Sequence, residues 1–304
     1  MIADQRGSFV GQQLHRRAAG LVRRGALVGA LLVLTGCSAQ QQHEWANFAM
    51  PDPATEQADH IFNLWRWAWV AALITGVIVW GLIFWSVWRY RRRDDDEVPI
   101  QTRYNLPLEI FYTVAPVVMV VVFFYWTVNV QNAVLKDTEQ DHTVNVVGQQ
   151  WSWTFNYTGE EAVGGTNVYT SGTGSDTPTL VLPVDETVEF KLYSPDVIHS
   201  FGIPGFLMRM DVVPGRENHY EVTPTTIGDY RGKCYELCGA YHSRMLFDVK
   251  VVSREEFDQY LRDLQEAGFE SDTPLLGNGQ AYRQEGLETE GLGTDDDEDE
   301  GDGE

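Results

Sequence analysis

The chain has 304 residues, of which 43% are hydrophobic and 12% aromatic, enough for one or two domains with a sizeable core. Acidic residues outnumber basic residues by 44 to 22, and the formal net charge is -22. This balance argues against nucleic acid as a partner, because its phosphates would be repelled, and it favours a basic protein partner.

The N-terminal region has the features of an export signal. An arginine-rich stretch precedes the apolar segment GALVGALLVLTG, which is shorter than the ~20 residues that a membrane-spanning helix needs. The segment ends in LTGC, which resembles the lipobox of bacterial lipoproteins and implies cleavage before Cys37 and lipidation of that residue. We therefore predict a cleaved lipoprotein signal peptide over residues 1–36 and an outer N-terminal segment over residues 37–60. An ordinary buried cysteine in an uncleaved helix is the alternative.

Two apolar stretches follow, and each is long enough to cross a membrane. The first, residues 61–88, has tryptophans near both ends, as expected for the aromatic belts at membrane interfaces. The second, residues 106–130, contains Glu109 and Pro116. The loop between them is rich in arginine, and short arginine-rich loops stay in the cytoplasm. We predict a transmembrane helical hairpin over residues 61–130 in the cytoplasmic membrane, with the N- and C-terminal regions on the outer face.

Beyond the hairpin, the pattern changes to short segments rich in β-branched and aromatic residues, bounded by turn-forming residues. This pattern predicts a β-sandwich or barrel. Residues 159–178 are rich in glycine, serine and threonine, which predicts a mobile loop. Residues 254–268 have apolar side chains at helical spacing, which predicts a short closing helix. An acidic disordered tail is predicted over residues 271–304, because its like charges repel one another and have nothing to bury.

One stretch of the outer domain, CYELCGAYHSRM, contains several potential metal ligands. A disulfide between Cys234 and Cys238 is one interpretation, because an exported domain lies in an oxidising compartment. A zinc site is another. Copper is favoured because Met245 offers a soft thioether, and because His199 upstream can join His242 as a second imidazole. Two thiolates, two imidazoles and one thioether together form a donor set of the copper type.

These motifs and the two spans resemble subunit II of haem–copper cytochrome c oxidase over about residues 60–265. The resemblance implies an α+β membrane protein, with a two-helix hairpin followed by a cupredoxin-like β-sandwich domain over residues 137–270. It implies a binuclear copper centre, CuA, which accepts electrons from a c-type cytochrome and passes them to haem in subunit I, where oxygen is reduced to water with proton translocation. The implied partners are oxidase subunits I and III, membrane lipid and the cytochrome donor, including a donor held in a supercomplex with a bc-type complex.

The resemblance also implies roles for individual residues. The implied copper ligands are two bridging thiolates, two imidazoles, a weak thioether and a weak backbone carbonyl: Cys234, Cys238, His199, His242, Met245 and Glu236. The carboxylate of Glu236 is implied to reach a magnesium ion shared with subunit I. Trp151 is implied to receive the electron from the cytochrome; core packing in a strand beside Trp153 is the alternative. Glu109 is implied to lie at the mouth of a proton path, with a water-exposed interfacial carboxylate as the alternative.

Arg244 departs from the family pattern, because this position beside the thioether is usually aromatic or apolar in relatives. Three rival functions fit part of this pattern. A quinol oxidase subunit II is a copper-free relative, and the complete ligand set argues against it. A copper-delivery lipoprotein is the second, and two membrane spans with Glu109 exceed what that function needs. A nitrous oxide reductase shares the CuA motif, but its large catalytic domain is not expected in a chain of this length.

Overall fold

A computed structural model of the chain describes residues 38, 43, 45–94, 98, 100–173 and 176–277. The predicted signal peptide, Cys37 and the acidic residues beyond position 277 lie outside the described residues. The chain divides into two units, Met1–Pro51 and Asp52–Glu304. In the first unit, the described residues include a short helical turn. The elements below all belong to the second unit.

Two long helices begin the second unit: α1 spans Glu56–Arg89 and α2 spans Leu106–Val134. Both are long and apolar enough to cross a membrane. At 1.5 Å per residue, α1 is about 50 Å long, which exceeds the ~30 Å of membrane hydrocarbon. Apolar side chains such as Ile74, Val77 and Phe124 are more than half exposed, as expected for helices covered by lipid or by a partner subunit. The structure confirms the predicted pair of apolar helices.

The start of α1 is attached to the β domain. The helix begins at Glu56, ahead of the apolar stretch that predicted it, because Thr55 caps it by accepting a hydrogen bond from the N–H of Ala58 at 3.1 Å. Just before the cap, the N–H of Ala54 donates to the carbonyl of Gly205 in the β domain at 2.9 Å. The first turn of α1 is therefore held by polar contacts that a hydropathy pattern does not reveal.

The outer domain is a sandwich of two β-sheets followed by a closing helix, α3, over Arg254–Glu266. The strands are β1 His142–Gln149, β2 Ser152–Thr158, β3 Asn167–Ser171, β4 Thr179–Pro183, β5 Val188–Tyr193, β6 His199–Ile203, β7 Met208–Val212, β8 Asn218–Val222, β9 Gly228–Cys234, β10 Leu246–Val252 and β11 Glu270–Ser271. One sheet has the order β11-β3-β2-β1-β5-β8 and the other the order β4-β10-β9-β6-β7. The structure confirms both the predicted cupredoxin-like sandwich and the closing helix.

The core between the two sheets is aromatic. Phe201 and Phe247 stack with ring centroids 4.9 Å apart, and Trp153 meets each of them edge-on at 5.5 Å. All three side chains are fully buried, and burial of a large apolar side chain stabilises the fold by about 1.5–3 kcal/mol. Phe201 lies on the strand that begins at His199, and Phe247 on the strand that follows Met245. The core therefore fixes the strands that carry potential metal ligands.

Two segments differ from the sequence prediction. Residues 159–178 do not form a loop throughout, because they contain the 3-10 turn Glu161–Val163 and strand β3, which pairs with β2. Residues 271–277, predicted to begin the tail, instead lie on the sandwich, where the N–H of Leu275 donates to the side-chain oxygen of Asn156 at 2.8 Å. Asn156 is fully buried and needs such a partner, and composition gives no sign of a contact over that sequence distance.

Candidate metal centre

The proposed copper ligands converge beside strands β6, β9 and β10. The ligand atoms of His199, Cys234 and Cys238 lie within 4.8 Å of one another. The two sulfurs are 3.9 Å apart, and Nδ1 of His199 lies 3.9 Å from Sγ of Cys234. On the other side, Nδ1 of His242 and Sδ of Met245 lie 3.5 Å and 3.7 Å from Sγ of Cys238. The set therefore has two halves, one around each sulfur.

The chemistry of this donor set fits copper. Both cysteines of the described chain are free thiols, so the disulfide interpretation does not describe this structure. The backbone carbonyl of Glu236 lies 3.2 Å from Sγ of Cys234 and adds an oxygen to that half. A structural zinc site needs four ligands and no thioether, whereas soft sulfur mixed with imidazole suits copper. The side chain of Glu236 is exposed, so its carboxylate can bind one partner while its backbone carbonyl faces Cys234.

Backbone hydrogen bonds hold the segments that carry the ligands. The N–H of Cys234 donates to the carbonyl of Met245 at 3.0 Å, which joins the end of β9 to the start of β10. The N–H of Tyr235 donates to the carbonyl of Ser200 at 3.0 Å, which joins the same loop to β6. Because these bonds extend the ladder of one sheet, the sheet positions three of the segments that carry potential ligands.

Asp196 orients His199, and sequence reasoning missed it. Its Oδ1 lies 2.9 Å from Nε2 of His199, which leaves Nδ1 directed at Cys234. Burial favours the neutral imidazole, but Asp196 and Cys234 outweigh burial and raise the pKa of His199. Burial likewise opposes ionisation of Asp196, but hydrogen bonds from His199, Gln150 and Val197 lower the pKa of this carboxyl. Metal-binding histidines commonly have such a carboxylate partner, and an acid three residues before His199 was the available signal.

The surroundings shift the pKa values of the two thiols in opposite directions. Burial works to raise the pKa of Cys234, but His199 and the backbone groups of Ser200 and Glu236 lower it. Burial and the neighbouring Cys234 raise the pKa of Cys238. A bound metal deprotonates a coordinating thiol outright, so copper loading is expected to release protons.

Trp151 lies in the turn between β1 and β2 rather than inside a strand. Strand β1 ends at Gln149 and β2 begins at Ser152, so Trp151 does not share the regular alternation that buries Trp153. The indole of Trp151 is half-buried, and its Nε1–H donates to the carbonyl of Cys238 at 3.2 Å. The structure thus brings Trp151 to the proposed copper ligands and leaves Trp153 as the fully buried core residue.

Gln150 is a second residue that sequence reasoning missed. Its side-chain Nε2 donates to the carbonyl of Cys238 at 2.7 Å, and its backbone N–H donates to Asp196 at 2.8 Å. The turn is therefore joined to both halves of the site, to Cys238 directly and to His199 through Asp196. No local signal marks Gln150, because it is one of two adjacent glutamines and its contact with Cys238 spans 88 residues.

Glu109 lies apart from the metal centre, in the first turn of α2, whereas the last turn of α2 leads to the β domain. Its Oε1 accepts a hydrogen bond from the N–H of Asn105 at 2.9 Å. Asn105 in turn accepts one from the N–H of Leu108 at 3.4 Å. This reciprocal arrangement caps the helix, and a carboxylate in the first turn also suits the helix dipole.

The chain is similar to known proteins over most of its length. Residues 142–252 match the family model for the periplasmic domain of cytochrome c oxidase subunit II. A probable cytochrome c oxidase subunit 2 from Streptomyces coelicolor is 44% identical, covering 86% of this chain and 92% of that protein. Cytochrome c oxidase subunit 2 from Corynebacterium diphtheriae is 33% identical, covering 87% and 89% respectively. The crystal structure of the periplasmic domain of subunit II of cytochrome oxidase from Bradyrhizobium japonicum is 27% identical, with a TM-score of 0.38, covering 43% and 97%.

Identity of 44% that extends over most of both chains is sufficient to establish a family. The fold and the grouping of one histidine with two cysteines are those expected of a CuA-type domain. The chain therefore belongs to the cytochrome c oxidase subunit 2 family and is a subunit of an oxidoreductase complex.

Proposed function

We propose that the chain is the electron-accepting subunit of its oxidase, in which a binuclear copper centre takes electrons from a c-type cytochrome and passes them to haem in subunit I, where oxygen is reduced to water with proton translocation. The observation that carries this proposal is the convergence of two thiols, two imidazoles and a thioether at separations of 3.5–3.9 Å. A copper-free relative or a structural lipoprotein has no need for such a set.

The two halves of the site suggest how the copper ions are shared. In the proposed arrangement, two thiols, two imidazoles, a thioether and a backbone carbonyl would hold two copper ions, the last two as weak ligands: Cys234, Cys238, His199, His242, Met245 and Glu236. The sheet and the aromatic core hold these residues, so the ligand positions need to change little between redox states. Burial of both sulfurs also keeps water and oxidants away from the thiolates.

Trp151 is the proposed point at which electrons arrive from the cytochrome. Its half-buried indole combines access from solvent with a direct hydrogen bond to Cys238. The net charge of -22 favours a donor with a basic docking face. The association rate should therefore fall as salt increases, because salt screens the attraction. A rate indifferent to ionic strength would argue against a freely diffusing basic donor, and would agree with a donor held in a supercomplex.

Further proposed roles concern the surroundings of the chain. The exposed carboxylate of Glu236 suits a magnesium ion shared with subunit I, because hard oxygen ligands bind this ion. Glu109 is proposed to lie at the cytoplasmic mouth of a proton path, in addition to its capping role. Cys37 is proposed to anchor the chain to membrane lipid on the outer face. Subunits I and III are the proposed neighbours of the two apolar helices.

The proposal is tested on the full chain, purified in detergent and loaded with copper under reducing conditions that keep both thiols free, after which the reductant is removed and the centre is oxidised by one electron with a mild chemical oxidant. We expect a coloured protein whose unpaired electron couples equally to two copper nuclei in electron paramagnetic resonance (EPR). A protein that binds a single copper, or that stays colourless with Cys234 and Cys238 joined in a disulfide, would contradict it. A copper-loaded chain should then oxidise a reduced c-type cytochrome, and Cys234→Ser provides the matched control that should not.

A further inference from the structure

The indole of Trp151 is contacted by Tyr241, which Arg244 contacts in turn; both lie in residues 235–245 between β9 and β10, a segment called the copper loop below. Tyr241 meets the indole edge-on, with ring centroids 5.0 Å apart and an interplanar angle of 88°. Cζ of Arg244 lies 5.2 Å from the centroid of the Tyr241 ring, within the range of a cation–π contact. The N–H of Arg244 also donates to the carbonyl of Tyr241 at 2.8 Å, which fixes the two residues in one turn. A continuous set of contacts therefore runs from Arg244 through Tyr241 to Trp151.

The same indole lies against the backbone of Gly239. A Cβ atom at this position would come within 3.0 Å of Cζ2 and 3.1 Å of Nε1 of Trp151. The φ angle of Gly239 is +125°, a conformation that other residues rarely adopt. Together, Gly239, Tyr241 and the carbonyl of Cys238 confine the indole on several sides. Such confinement matters because Trp151 lies in a turn, where no strand pairing restricts its side-chain rotamer.

We propose that Tyr241 and Arg244 are positioning residues for electron transfer, which fix the indole of Trp151 against the carbonyl of Cys238. The inference rests on the proposed function of Trp151. Reaction rates depend steeply on the placement of the reacting groups, so a residue that restricts the indole to one orientation raises the fraction of productive encounters. Arg244, whose side chain departs from the family pattern, thereby acquires a function, which is to hold the Tyr241 ring.

The first experiment measures the position of the indole and does not depend on activity. The full chain is labelled with 15N-tryptophan in detergent, and the indole N–H resonance of Trp151 is identified as the one missing from Trp151→Phe. We expect Tyr241→Ala to accelerate hydrogen exchange of this N–H roughly threefold to tenfold, because an aromatic pair is lost. Tyr241→Phe should restore slow exchange, because it keeps the ring.

Two further variants keep this test decisive. Arg244→Met should accelerate the same exchange by a smaller factor, roughly twofold, and it alters only an exposed side chain. Tyr235→Ala is the matched control, because the ring of Tyr235 lies near Lys233 at 4.8 Å and over Gly202 rather than on Trp151. The inference would be overturned if the indole N–H exchanged as slowly in Tyr241→Ala as in the unmodified chain. It would also be overturned if exchange in Tyr235→Ala were as fast as in Tyr241→Ala.

The second experiment measures electron arrival in the assembled oxidase, mixed rapidly with a reduced c-type cytochrome. We expect Tyr241→Ala to slow electron arrival roughly threefold to tenfold, while the copper EPR spectrum and onward transfer to haem stay unchanged. If Trp151→Phe does not slow electron arrival, the proposed function of Trp151 fails. If Trp151→Phe slows it and Tyr241→Ala does not, the function of Trp151 stands and the positioning role of Tyr241 fails.

Discussion

Two buried histidines each begin a β-strand, and their surroundings give them different roles. His142 has both ring nitrogens engaged, with Nδ1 2.9 Å from Glu160 and Nε2 2.6 Å from Glu186. His199 binds Asp196 through Nε2 at 2.9 Å and leaves Nδ1 facing a sulfur. Both side chains are almost completely buried, and both have a carboxylate partner. A buried histidine is therefore a candidate metal ligand only when one ring nitrogen is left over.

The cluster around His142 serves the fold. Arg254, in the first turn of α3, donates to Glu186 at 2.6 Å and approaches Nε2 of His142 at 3.3 Å. Phe257 of the same helix meets the His142 ring edge-on at 5.1 Å. These contacts attach the closing helix to the sandwich. The following variants test whether this cluster stabilises the fold while the proposed copper ligands bind metal.

The largest effect is expected from Cys238→Ala. Sγ of Cys238 lies 3.5–3.9 Å from ligand atoms of Cys234, His242 and Met245, so alanine removes the donor that joins both halves. We expect complete loss of the binuclear copper signal, measured by EPR and by copper bound per chain. Met245→Leu is the control and should retain copper, because the thioether is a weak ligand. Retention of two coppers by Cys238→Ala would refute the assignment of the ligands.

His142→Ala should leave the copper spectrum unchanged and destabilise the fold. It removes one partner of Glu160, a carboxylate that is only 4% exposed, and the loss of one partner of a buried ion pair costs about 3 kcal/mol. The free energy of unfolding is measured by urea titration of the full chain in detergent. Arg231→Ala, which breaks an exposed pair with Asp248, is the control and should cost less than about 1 kcal/mol. An altered copper spectrum with an unchanged free energy of unfolding would show that His142 supports the metal centre rather than the fold.

Asp196→Asn should weaken copper binding without abolishing it. The amide keeps the shape of the side chain but loses the charge that orients His199, and loss of such a partner lowers metal affinity about 10- to 100-fold. Affinity is measured by competition with a copper chelator. Asp248→Asn is the control, because this carboxylate binds Arg231 on the surface at 3.4 Å. Equal affinity of the two variants would show that Asp196 does not support the site.

The smallest effect is the pH dependence of the His142 cluster. Burial works to lower the pKa of His142, but Glu160 and Glu186 raise it above its ordinary value of 6.5. A group whose pKa is higher in the folded state than in the unfolded state stabilises the fold at pH values below its unfolded pKa. This stabilisation is lost as the pH rises through its folded pKa. The difference in unfolding free energy between the unmodified chain and His142→Ala should therefore be largest below pH 6.5 and decrease above it. Urea titrations at several pH values measure this difference, and an increase with pH would contradict the expectation.

The sequence alone was sufficient for the features that depend on local composition. The two apolar helices could be predicted because a membrane-spanning helix satisfies its own backbone hydrogen bonds and needs only a continuous apolar stretch. Four potential metal ligands could be singled out because soft donors rarely occur so close together in a chain: Cys234, Cys238, His242 and Met245. Reliance on local composition also gave the wrong prediction for residues 159–178. Their composition resembles that of a loop, although part of the segment forms β3 and pairs with β2.

Only the tertiary structure decided which polar and aromatic residues support the ligands. Gln150 and Asp196 meet just beyond the ends of the paired strands β1 and β5, and Gln150 reaches Cys238 over 88 residues of sequence. Trp151 lies past the end of β1 and is only partly buried against the core, and Tyr241 meets it from the segment between β9 and β10. Such contacts depend on strand register and loop closure, which are determined by the packing of the whole sandwich rather than by neighbouring residues in the chain.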